Sequence, residues 1–424
     1  MHERLYNFLS KNKCFYDLQF GFRKGHSTDH ALLDLTEDIR NAIDANQFAV
    51  GVFIDLQKAF DTVDHDILVK KLEHYGVRGV ANNWFKSYLT NRKQFVTISQ
   101  INSEFQPMRL GVPQGSVLGP LLFLLYINDL HSTIKFCSTR HFADDTNLLI
   151  KNKSLKQLKK QLNIDLSQLV SWLRSNKISL NTSKTEMLIF RHPNKIINYD
   201  LKIKMHGKRL YPSKYVKYLG ILIDPQLNWG HHTDLLAPKL SRAIGMLSKI
   251  RHFVSIDILR NIYFGIFSSI LMYGAQIWGQ SQNNHVKRII KLQEKAIRII
   301  NFAEYHQPTP KLFKNSKILK FQDRITLKNF LFVHDSRTGH LPSIFTNKFK
   351  YLQEIHNHKT RNSTFHCVKL PKSRTLTYGL NSVTGQSVRA WNYLQINYSS
   401  DNFHLKSKGM CKRRITKLLL NSYI

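Results

Sequence analysis

The chain has 424 residues, of which 42% are hydrophobic and 11% aromatic, enough apolar material to exclude a disordered chain and to fill two or three domains. Lysine and arginine total 63 against 28 acidic residues, and the net charge of +35 far exceeds what solubility requires. A charge of this size favours a polyanionic partner, with nucleic acid first and an anionic membrane second.

The N-terminal part of the chain alternates predicted helices and strands. Ser27 or Thr28 fits the N-cap of an amphipathic helix over residues 27–46, and the apolar run 48–56 is typical of a buried strand. A helix over residues 65–76 is predicted to end at a glycine, and residues 112–130 begin with Pro and Gly before an apolar helix. The stretch HFADDTNLLI (141–150) predicts two short strands around a turn.

Beyond this stretch the pattern becomes more helical. An amphipathic helix is predicted over residues 154–177, followed by strands over 185–190 and 215–224 and by basic helices over 236–300. Residues 301–424 have only weak periodicity, and the pattern assigns them no architecture. The mixed order of helices and strands predicts an α+β fold with an antiparallel sheet.

The charge is distributed unevenly along these elements. Residues 1–120 contain 14 basic and 13 acidic residues, residues 121–300 contain 28 and 10, and residues 301–424 contain 21 and 5. Acidic residues are therefore concentrated where the strands begin, and the basic excess lies in the later, helical parts.

Three features of the sequence bear on the cellular compartment: its first residues, its longest uncharged run and its cysteines. The first 13 residues lack the apolar core of a signal peptide, and the uncharged run 262–285 contains Ser, Gln and Gly, which favour a buried helix over a membrane span. Four widely spaced cysteines favour neither a zinc site nor disulfides. The expectation is an intracellular protein of the nucleus, the cytoplasm or both.

Three aspartates end or interrupt apolar strands. Asp55 ends the first predicted strand, and Asp144 and Asp145 lie at the turn of the predicted hairpin. Carboxylates are costly to bury unless paired, and a few of them suit Mg²⁺, which completes its shell with water and substrate phosphates. Two such ions support an in-line phosphoryl displacement. Taken alone, however, Asp-Asp in a turn is an ordinary turn pair and Asp55 an ordinary strand-end residue.

Six segments occur in one order along the chain: QFGFRKGHST (19–28), FIDLQKAFDTVDH (53–65), GVPQGSVLGPLLF (111–123), FADD (142–145), SLNTSKTEMLIF (179–190) and KYLGILID (217–224). Together they resemble the palm of a reverse transcriptase, in particular the LINE-type (non-long-terminal-repeat) retrotransposon family in its jockey-like form. The resemblance implies a right-hand polymerase fold and RNA-directed DNA polymerase activity. Its implied partners are an RNA template, a DNA primer and deoxynucleoside triphosphates.

The same resemblance implies a division of the chain into four parts. They are a residual fingers segment (1–47), a reverse transcriptase palm (48–228), a helical thumb-like region (229–300) and a basic C-terminal region of unknown architecture (301–424). The basic later parts would hold the primer–template backbone, with an affinity that falls steeply as salt rises. Oligomeric state is not indicated.

The metal ligands implied by the resemblance are the aspartates already singled out. Asp55 and Asp144 would be the main ligands of two Mg²⁺ ions, with Mn²⁺ as an alternative. Asp145 would be accessory, and the carbonyl of Leu56 would add a further ligand. These four residues and Lys184, the implied general acid for the pyrophosphate leaving group, make up the expected catalytic centre.

Nucleotide binding is implied for five residues. Phe60 would be the aromatic steric gate that excludes a 2′-hydroxyl, although without the resemblance it would be an ordinary core residue. Gln114 would contact the incoming nucleotide, and Gly115 would let the backbone approach it closely, the alternative being a plain turn before a helix. Arg23 or Lys24 would bind the triphosphate.

The primer grip is implied by the last of the six segments. Tyr218, Leu219 and Gly220 would form it, within the stretch KYLGILID (217–224). A primer 3′-hydroxyl held there would be the acceptor for template-directed deoxynucleotide addition.

The N-terminal end departs from the family pattern. Only 54 residues precede Asp55, where the family usually has a longer fingers region, so an N-terminally truncated element is expected. This keeps open an alternative function, a catalytically impaired nucleic-acid-binding remnant. A group II intron-type reverse transcriptase ranks lower because of the SVLGPLLF continuation, and an RNA-dependent RNA polymerase ranks lower still because of Phe60.

Overall fold

The computed structural model describes residues 1–197, 201–281, 284–346, 348–355 and 365–423. The chain folds into two compact units. The first unit consists of Met1–Ala31 and Gln47–Ser213, and the second of Leu32–Asn46 and Lys214–Ile424. The chain therefore enters the second unit twice, once briefly near its start and once for its C-terminal half.

Helices are the commonest elements of the described residues. They are α1 (His2–Lys11), α2 (Thr28–Asp44), α3 (His65–His74), α4 (Val80–Leu89), α5 (Gly119–Ile127), α6 (Leu155–Ser175), α7 (Gly230–Ile250), α8 (Ile256–Ile262), α9 (Ser269–Met272), α10 (Ala275–Trp278), α11 (Asn284–Ile300), α12 (Pro310–Asn315), α13 (Phe321–Arg337), α14 (Ser343–Thr346), α15 (Leu352–Ile355), α16 (Val383–Asn397) and α17 (Lys408–Asn421). Further helical turns lie at Leu130–Thr133, Tyr263–Ser268, Leu376–Leu380, Ser399–Asp401 and Phe403–Leu405.

Strands are short by comparison. They are β1 (Phe48–Ile54), β2 (Lys93–Gln94), β3 (Thr97–Ile98), β4 (Ile101–Asn102), β5 (Gln106–Pro107), β6 (Ser138–Phe142), β7 (Asp145–Asn152), β8 (Glu186–Phe190), β9 (Ile203–Met205), β10 (Lys208–Leu210), β11 (Val216–Tyr218) and β12 (Ile221–Ile223).

A four-stranded antiparallel sheet forms the centre of the first unit. Its strand order is β6-β7-β1-β8, which makes β7 and β1 the central strands. β1 reads FAVGVFI and is buried along its whole length, as expected for a strand covered on both faces. The register pairs Ile54 of β1 with Thr146 of β7, and Phe142 of β6 with Asp145 of β7. The β6–β7 turn therefore lies at the same end of the sheet as the end of β1.

Two helices illustrate how the sheet is supported. α5 reads GPLLFLLYI and is almost entirely buried, whereas α6 is amphipathic and starts at Ser154, whose hydroxyl accepts a hydrogen bond from the Gln157 N–H. Asp165 of α6 is fully buried, and its carboxylate accepts hydrogen bonds from three successive backbone N–H groups, those of Lys135, Phe136 and Cys137. These bonds fix the chain where it enters β6.

The second unit is built mainly from helices. α7 packs on α11, and α13 packs on both α16 and α17. The part of α2 that belongs to this unit is tied to the C-terminal region by two acidic side chains. Glu37 accepts from the Val383 N–H, and Asp44 accepts from the N–H groups of Arg374 and Thr375.

The predicted α+β class with an antiparallel sheet is confirmed, and so are the hairpin of residues 141–150 and the helices of residues 27–46, 65–76 and 154–177, within a few residues. Residues 301–424, which the pattern left unassigned, are largely helical where described. Across the described ranges, no helix combines the length and apolar character needed to cross a membrane.

One predicted element is confirmed and one needs correction. After the Pro and Gly that open residues 112–130, the expected apolar helix begins at Gly119, beyond a turn in which Ser116 donates to the Pro113 carbonyl and accepts from the Gly119 N–H. The strand expected over residues 215–224 is a hairpin of β11 and β12. It turns at Leu219 and Gly220, whose φ angles of 44° and 79° are those of a tight two-residue turn.

Candidate active site

Asp55, Asp144 and Asp145 meet at one end of the first unit's sheet. Asp55 directly follows β1, Asp145 begins β7, and Asp144 lies in the two-residue turn between β6 and β7. Because Ile54 pairs with Thr146, the antiparallel register brings Asp55 opposite Asp145. Carboxylates from distant parts of the sequence are thus neighbours in the fold.

The electrostatics of the three aspartates are those of a crowded negative site. Burial raises the pKa of Asp144, and the charge of Asp55 raises it further, against a lowering by a backbone hydrogen bond. Burial also raises the pKa of Asp145 to about 6, with additional repulsion from Asp144 and Asp55. A divalent cation would relieve this repulsion, and carboxylate oxygens are ligands that Mg²⁺ prefers.

The donor set fits such an ion only with help from other ligands. Among the residues that the structure describes, no three acidic, His or Cys side chains are arranged so that they already surround one ion. Backbone oxygens, water or substrate phosphates would have to complete the shell, as is usual for Mg²⁺.

The carbonyl of Leu56 is a candidate for such a backbone ligand. Leu56 forms an isolated antiparallel bridge with the segment that follows α6. The two hydrogen bonds of this bridge run from the Asn181 N–H to the Asp55 carbonyl at 2.9 Å and from the Gln57 N–H to the Ser179 carbonyl at 2.8 Å. The bridge therefore does not use the Leu56 carbonyl.

Lys184 shares a cavity with Asp55. The cavity measures about 390 Å³, and its walls also include Leu56, Gln57, Lys58, Thr62, Ser179 and Asn181. Lys184 belongs to a turn in which its backbone N–H donates to the Asn181 carbonyl at 3.3 Å. The bridge beside Leu56 anchors this turn, so the structure brings Lys184 and the end of β1 together.

The GVPQG segment packs on the chain that follows Asp55. The Val112 N–H donates to the Phe60 carbonyl at 2.9 Å, and Nε2 of Gln114 donates to Asp61 Oδ1 at 2.7 Å. The ring of Phe60 is half-buried and stacks on Phe123 of α5, with centroids 4.2 Å apart. Phe60 and Gln114 therefore occupy adjoining positions just beyond β1.

The remaining predicted nucleotide-binding residues differ in whether the protein itself already contacts them. Gly115 has a φ of 78°, and no atom lies within 4 Å of where its Cβ would be, so open space surrounds it. Arg23 is engaged by the protein itself: its guanidinium donates to the carbonyls of Tyr16 and Gln19, at 2.7 and 3.1 Å. Burial lowers the pKa of Arg23. Lys24, beside it, is exposed.

Sequence reasoning missed a residue that holds the β6–β7 turn of Asp144. Gln19 is 1% exposed, and its Oε1 accepts hydrogen bonds from the Gly21 N–H at 2.9 Å and from the Ala143 N–H at 3.2 Å. Ala143 immediately precedes Asp144. A Cβ on Gly21 would lie only 2.4 Å from the Ala143 nitrogen, so the close approach requires glycine. The signal was present in the motif QFGFR, whose Gln and Gly contributed only to the family resemblance.

His141 supports the same turn from β6. The Phe20 N–H donates to its carbonyl at 2.8 Å, and its own N–H donates to the Leu18 carbonyl at 3.0 Å. Its Nδ1 lies 2.9 Å from the Thr146 hydroxyl. Burial lowers the pKa of His141 to about 3, so the imidazole is neutral and adds no charge beside the aspartates.

The predicted primer-grip residues lie in the second unit. Tyr218 ends β11, and Leu219 and Gly220 form the turn that leads to β12. The hydroxyl of Tyr273 donates to the Leu219 carbonyl at 2.6 Å. Gly220 borders a cavity of about 400 Å³ whose other walls are His232, Leu235, Leu236, Lys239, Ser269, Ile270 and Tyr273.

An antiparallel sheet with one aspartate after a central strand and two at the adjacent hairpin agrees with the polymerase palm that the sequence motifs predicted. A family model described as "Reverse transcriptase (RNA-dependent DNA polymerase)" matches residues 1–223, more than half of the chain. The chain therefore belongs to the reverse transcriptase family.

Its relatives include two polymerases of Drosophila melanogaster mobile elements. The probable RNA-directed DNA polymerase from transposon BS is 30% identical over 339 residues, and the RNA-directed DNA polymerase from mobile element jockey is 28% identical over 338. Each alignment covers 76% of this chain and 36% of the relative, so the chain spans about a third of the length of these relatives. These matches agree with the LINE-type, jockey-like resemblance.

A solved structure of telomerase from Candida albicans in complex with a telomeric RNA fragment is also similar. It is 12% identical, with a TM-score of 0.36 over 81% of this chain and 56% of the telomerase chain. A TM-score of this size is too low to define a shared arrangement of the whole chain.

Proposed function

We propose that this chain catalyses RNA-directed DNA synthesis, adding deoxynucleotides to a primer 3′-hydroxyl opposite an RNA template. The observation that carries the proposal is the meeting of Asp55, Asp144 and Asp145 at one end of the sheet, with Lys184 in the cavity of Asp55. Membership of the reverse transcriptase family supports it. We expect the protein to act in the nucleus, the cytoplasm or both.

The aspartates would hold the metal. Asp55 and Asp144 would be the principal ligands of two Mg²⁺ or Mn²⁺ ions, with Asp145 and the Leu56 carbonyl as further ligands. When bound, the ions would activate the primer hydroxyl and stabilise the leaving oxygen of pyrophosphate. The rigid sheet beneath these ligands would keep their spacing fixed during the reaction.

The surrounding side chains would select and orient the nucleotide. The Phe60 ring, held on its inner face by the core, would exclude a 2′-hydroxyl. Gln114 would exchange its hydrogen bond to Asp61 for one to the incoming nucleotide, at a turn kept open by Gly115. Lys184 would protonate the leaving pyrophosphate from its Nζ.

Of the two candidates for the triphosphate, Lys24 is the better supported. The guanidinium of Arg23 already donates to two main-chain carbonyls, whereas Lys24 is exposed and next to it in sequence. An exposed ammonium retains its donors for phosphate oxygens. Arg23 would then shape the loop that presents Lys24.

The remaining parts of the chain would position the nucleic acid. Residues 1–47 would serve as fingers, 48–228 as the palm, 229–300 as a thumb and 301–424 as a basic region that contacts the duplex. Tyr218, Leu219 and Gly220 would hold the primer end, since their tight turn presents backbone groups at its tip.

Primer extension on an RNA template with Mg²⁺ tests the proposal. Replacing Asp144 by asparagine keeps the size of the side chain but removes its charge, and extension should fall by roughly a thousandfold or more. Asp66→Asn, in the exposed first turn of α3, is the matched control and should extend primers as the wild type does. A wild-type chain that binds primer–template but synthesises nothing would contradict the proposal and favour the nucleic-acid-binding remnant.

A further inference from the structure

Residues 91–110 form a β-ribbon that is separate from the central sheet; it is called the ribbon below. β2 pairs with β5 and β3 with β4, and the tip turns at Ser99 and Gln100, with φ angles of 48° and 69°. Every residue of the ribbon is exposed except Met108, which is half-buried. Almost none of the ribbon's surface is therefore buried.

Its exposed side chains include several large apolar groups. The rings of Phe95 and Phe105 meet across the ribbon with centroids 4.9 Å apart, and they are 44% and 64% exposed. Ile98 and Ile101, near the tip, are 71% and 74% exposed. A two-stranded ribbon is marginally stable in water, and the paired, exposed rings of Phe95 and Phe105 indicate a binding site away from the tip.

The charges around the aromatic pair indicate what binds there. Lys93 belongs to β2 and lies two residues before Phe95. The ribbon contains three basic residues and a single acidic one. At its foot, the guanidinium of Arg92 lies 5.3 Å from the ring centre of Tyr88 in α4. Tyr88 in turn stacks on Trp84, whose side chain is partly exposed.

We propose that the ribbon binds a single strand of RNA or DNA, with bases stacking on Phe95 and Phe105 and phosphates neutralised by Lys93 and Arg92. Exposed aromatic rings beside cations are the combination by which proteins hold single strands without reading their sequence. An apolar protein partner would gain nothing from the cations that flank the rings. No residue of the ribbon lines the cavity of Asp55 and Lys184, so single-strand binding can be measured apart from catalysis.

The test uses the full chain and labelled 12-nucleotide strands of oligo(U) and oligo(dT), with fluorescence anisotropy and no nucleotide or primer present. The double variant Phe95→Ala/Phe105→Ala should raise the dissociation constant about tenfold or more, the loss expected for stacked bases. Ile98→Ala/Ile101→Ala is the matched control. It removes comparable apolar surface from the same ribbon but no aromatic ring, so its affinity should equal that of the wild type.

A second measurement separates the ribbon from the other basic surfaces of the chain. Photocrosslinking with 4-thiouridine strands, followed by mass spectrometry, should recover crosslinks on residues 91–110, and these should disappear in the aromatic double variant. Equal loss of affinity in both double variants, or an unchanged affinity in the aromatic one, would overturn the proposal. So would a change of oligomeric state in the aliphatic variant, which would identify a second copy of the chain as the partner.

The proposal of catalysis and the proposal of single-strand binding by the ribbon are contradicted by different results. Asp144→Asn should bind single strands as the wild type does, and the aromatic double variant should still add one nucleotide to a saturating short primer–template. Preference between oligo(U) and oligo(dT) shows which nucleic acid the ribbon serves.

Discussion

Replacing Gln19 with methionine isolates one contact behind the three aspartates of the candidate site. Methionine has a similar length and fills the same buried space, but it has no oxygen to accept the hydrogen bonds of Gly21 and Ala143. The residue is 1% exposed, so water cannot easily take the place of its Oε1. The substitution therefore leaves two backbone N–H groups without an acceptor, one of them in the turn that carries Asp144.

The size of the effect follows from those two bonds. Each buried donor left unsatisfied costs about 1–3 kcal/mol, so the free energy of unfolding should fall by about 2–6 kcal/mol unless the turn moves. Movement of the turn relieves part of this cost but displaces Asp144. A displacement of about 1 Å at a reacting centre lowers the rate roughly a hundredfold. Stability and the rate constant kcat should therefore both fall, and KM for the nucleotide should change less.

The assay combines urea unfolding with steady-state primer extension, and its control is Asp165→Asn. The buried Asp165 also accepts hydrogen bonds from backbone N–H groups of the first unit, but at the start of β6, whereas Gln19 acts beyond its end. Both variants should be destabilised by similar amounts. In Asp165→Asn, any loss of kcat should match the loss of folded protein. In Gln19→Met, the loss of kcat should exceed the loss of folded protein.

The reasoning is refuted if Gln19→Met is destabilised yet retains the wild-type kcat, since Gln19 would then support folding alone. Equal losses of kcat in both variants would also refute it, because the effect would not be specific to the turn. Gln19→Glu gives a further comparison: it restores the acceptor but adds a buried charge near three aspartates, so stability should recover only in part.

Two other predictions concern packing and charge. Gly21→Ala places a Cβ 2.4 Å from the Ala143 nitrogen, so primer extension should fall at least tenfold while circular dichroism stays native; full activity would contradict the close approach. The neighbouring Asp335, whose carboxylate lies 3.7 Å from Nδ1, and Cys411 raise the pKa of His334 to about 10, against burial. Its stabilisation of the fold, at most about 5 kcal/mol, is complete below pH 6.5 and lost as pH rises towards 10. Urea midpoints of the wild type should converge on those of His334→Gln over that range, and parallel curves would contradict this.

The sequence was sufficient to predict the central sheet and the place of the three aspartates. The continuous apolar run of β1 and the apolar–Asp-Asp–apolar pattern of the hairpin are local signals, and each determines its own element. An antiparallel register then needs only the pairing of β1 with β7 to bring Asp55 and Asp145 opposite each other. The order of the six sequence motifs indicated that pairing, whereas the sequence separation of the aspartates alone could not.

Other features depend on contacts that leave no local pattern. The turn at Leu219 and Gly220 divides what looked like one strand, since leucine is an unusual residue at a positive φ. The engagement of Arg23 with two carbonyls could not be predicted either, because an arginine in a glycine-rich loop looks available for phosphate. Part of the reason that the pattern of residues 301–424 was weak is that α13 is buried on several sides and lacks one apolar stripe.

The site is assembled mostly by main-chain hydrogen bonds between segments that are distant in sequence. The Asp55 carbonyl accepts from Asn181, the Phe60 carbonyl from Val112, and the buried Gln19 from the turn before Asp144. Backbone groups do not change when side chains vary, so these links tolerate substitution except where a side chain is itself the acceptor or where space admits only glycine. Gln19 and Gly21 are those exceptions at the β6–β7 turn, and for this reason their replacement tests the geometry of the site more directly than substitution of its neighbours.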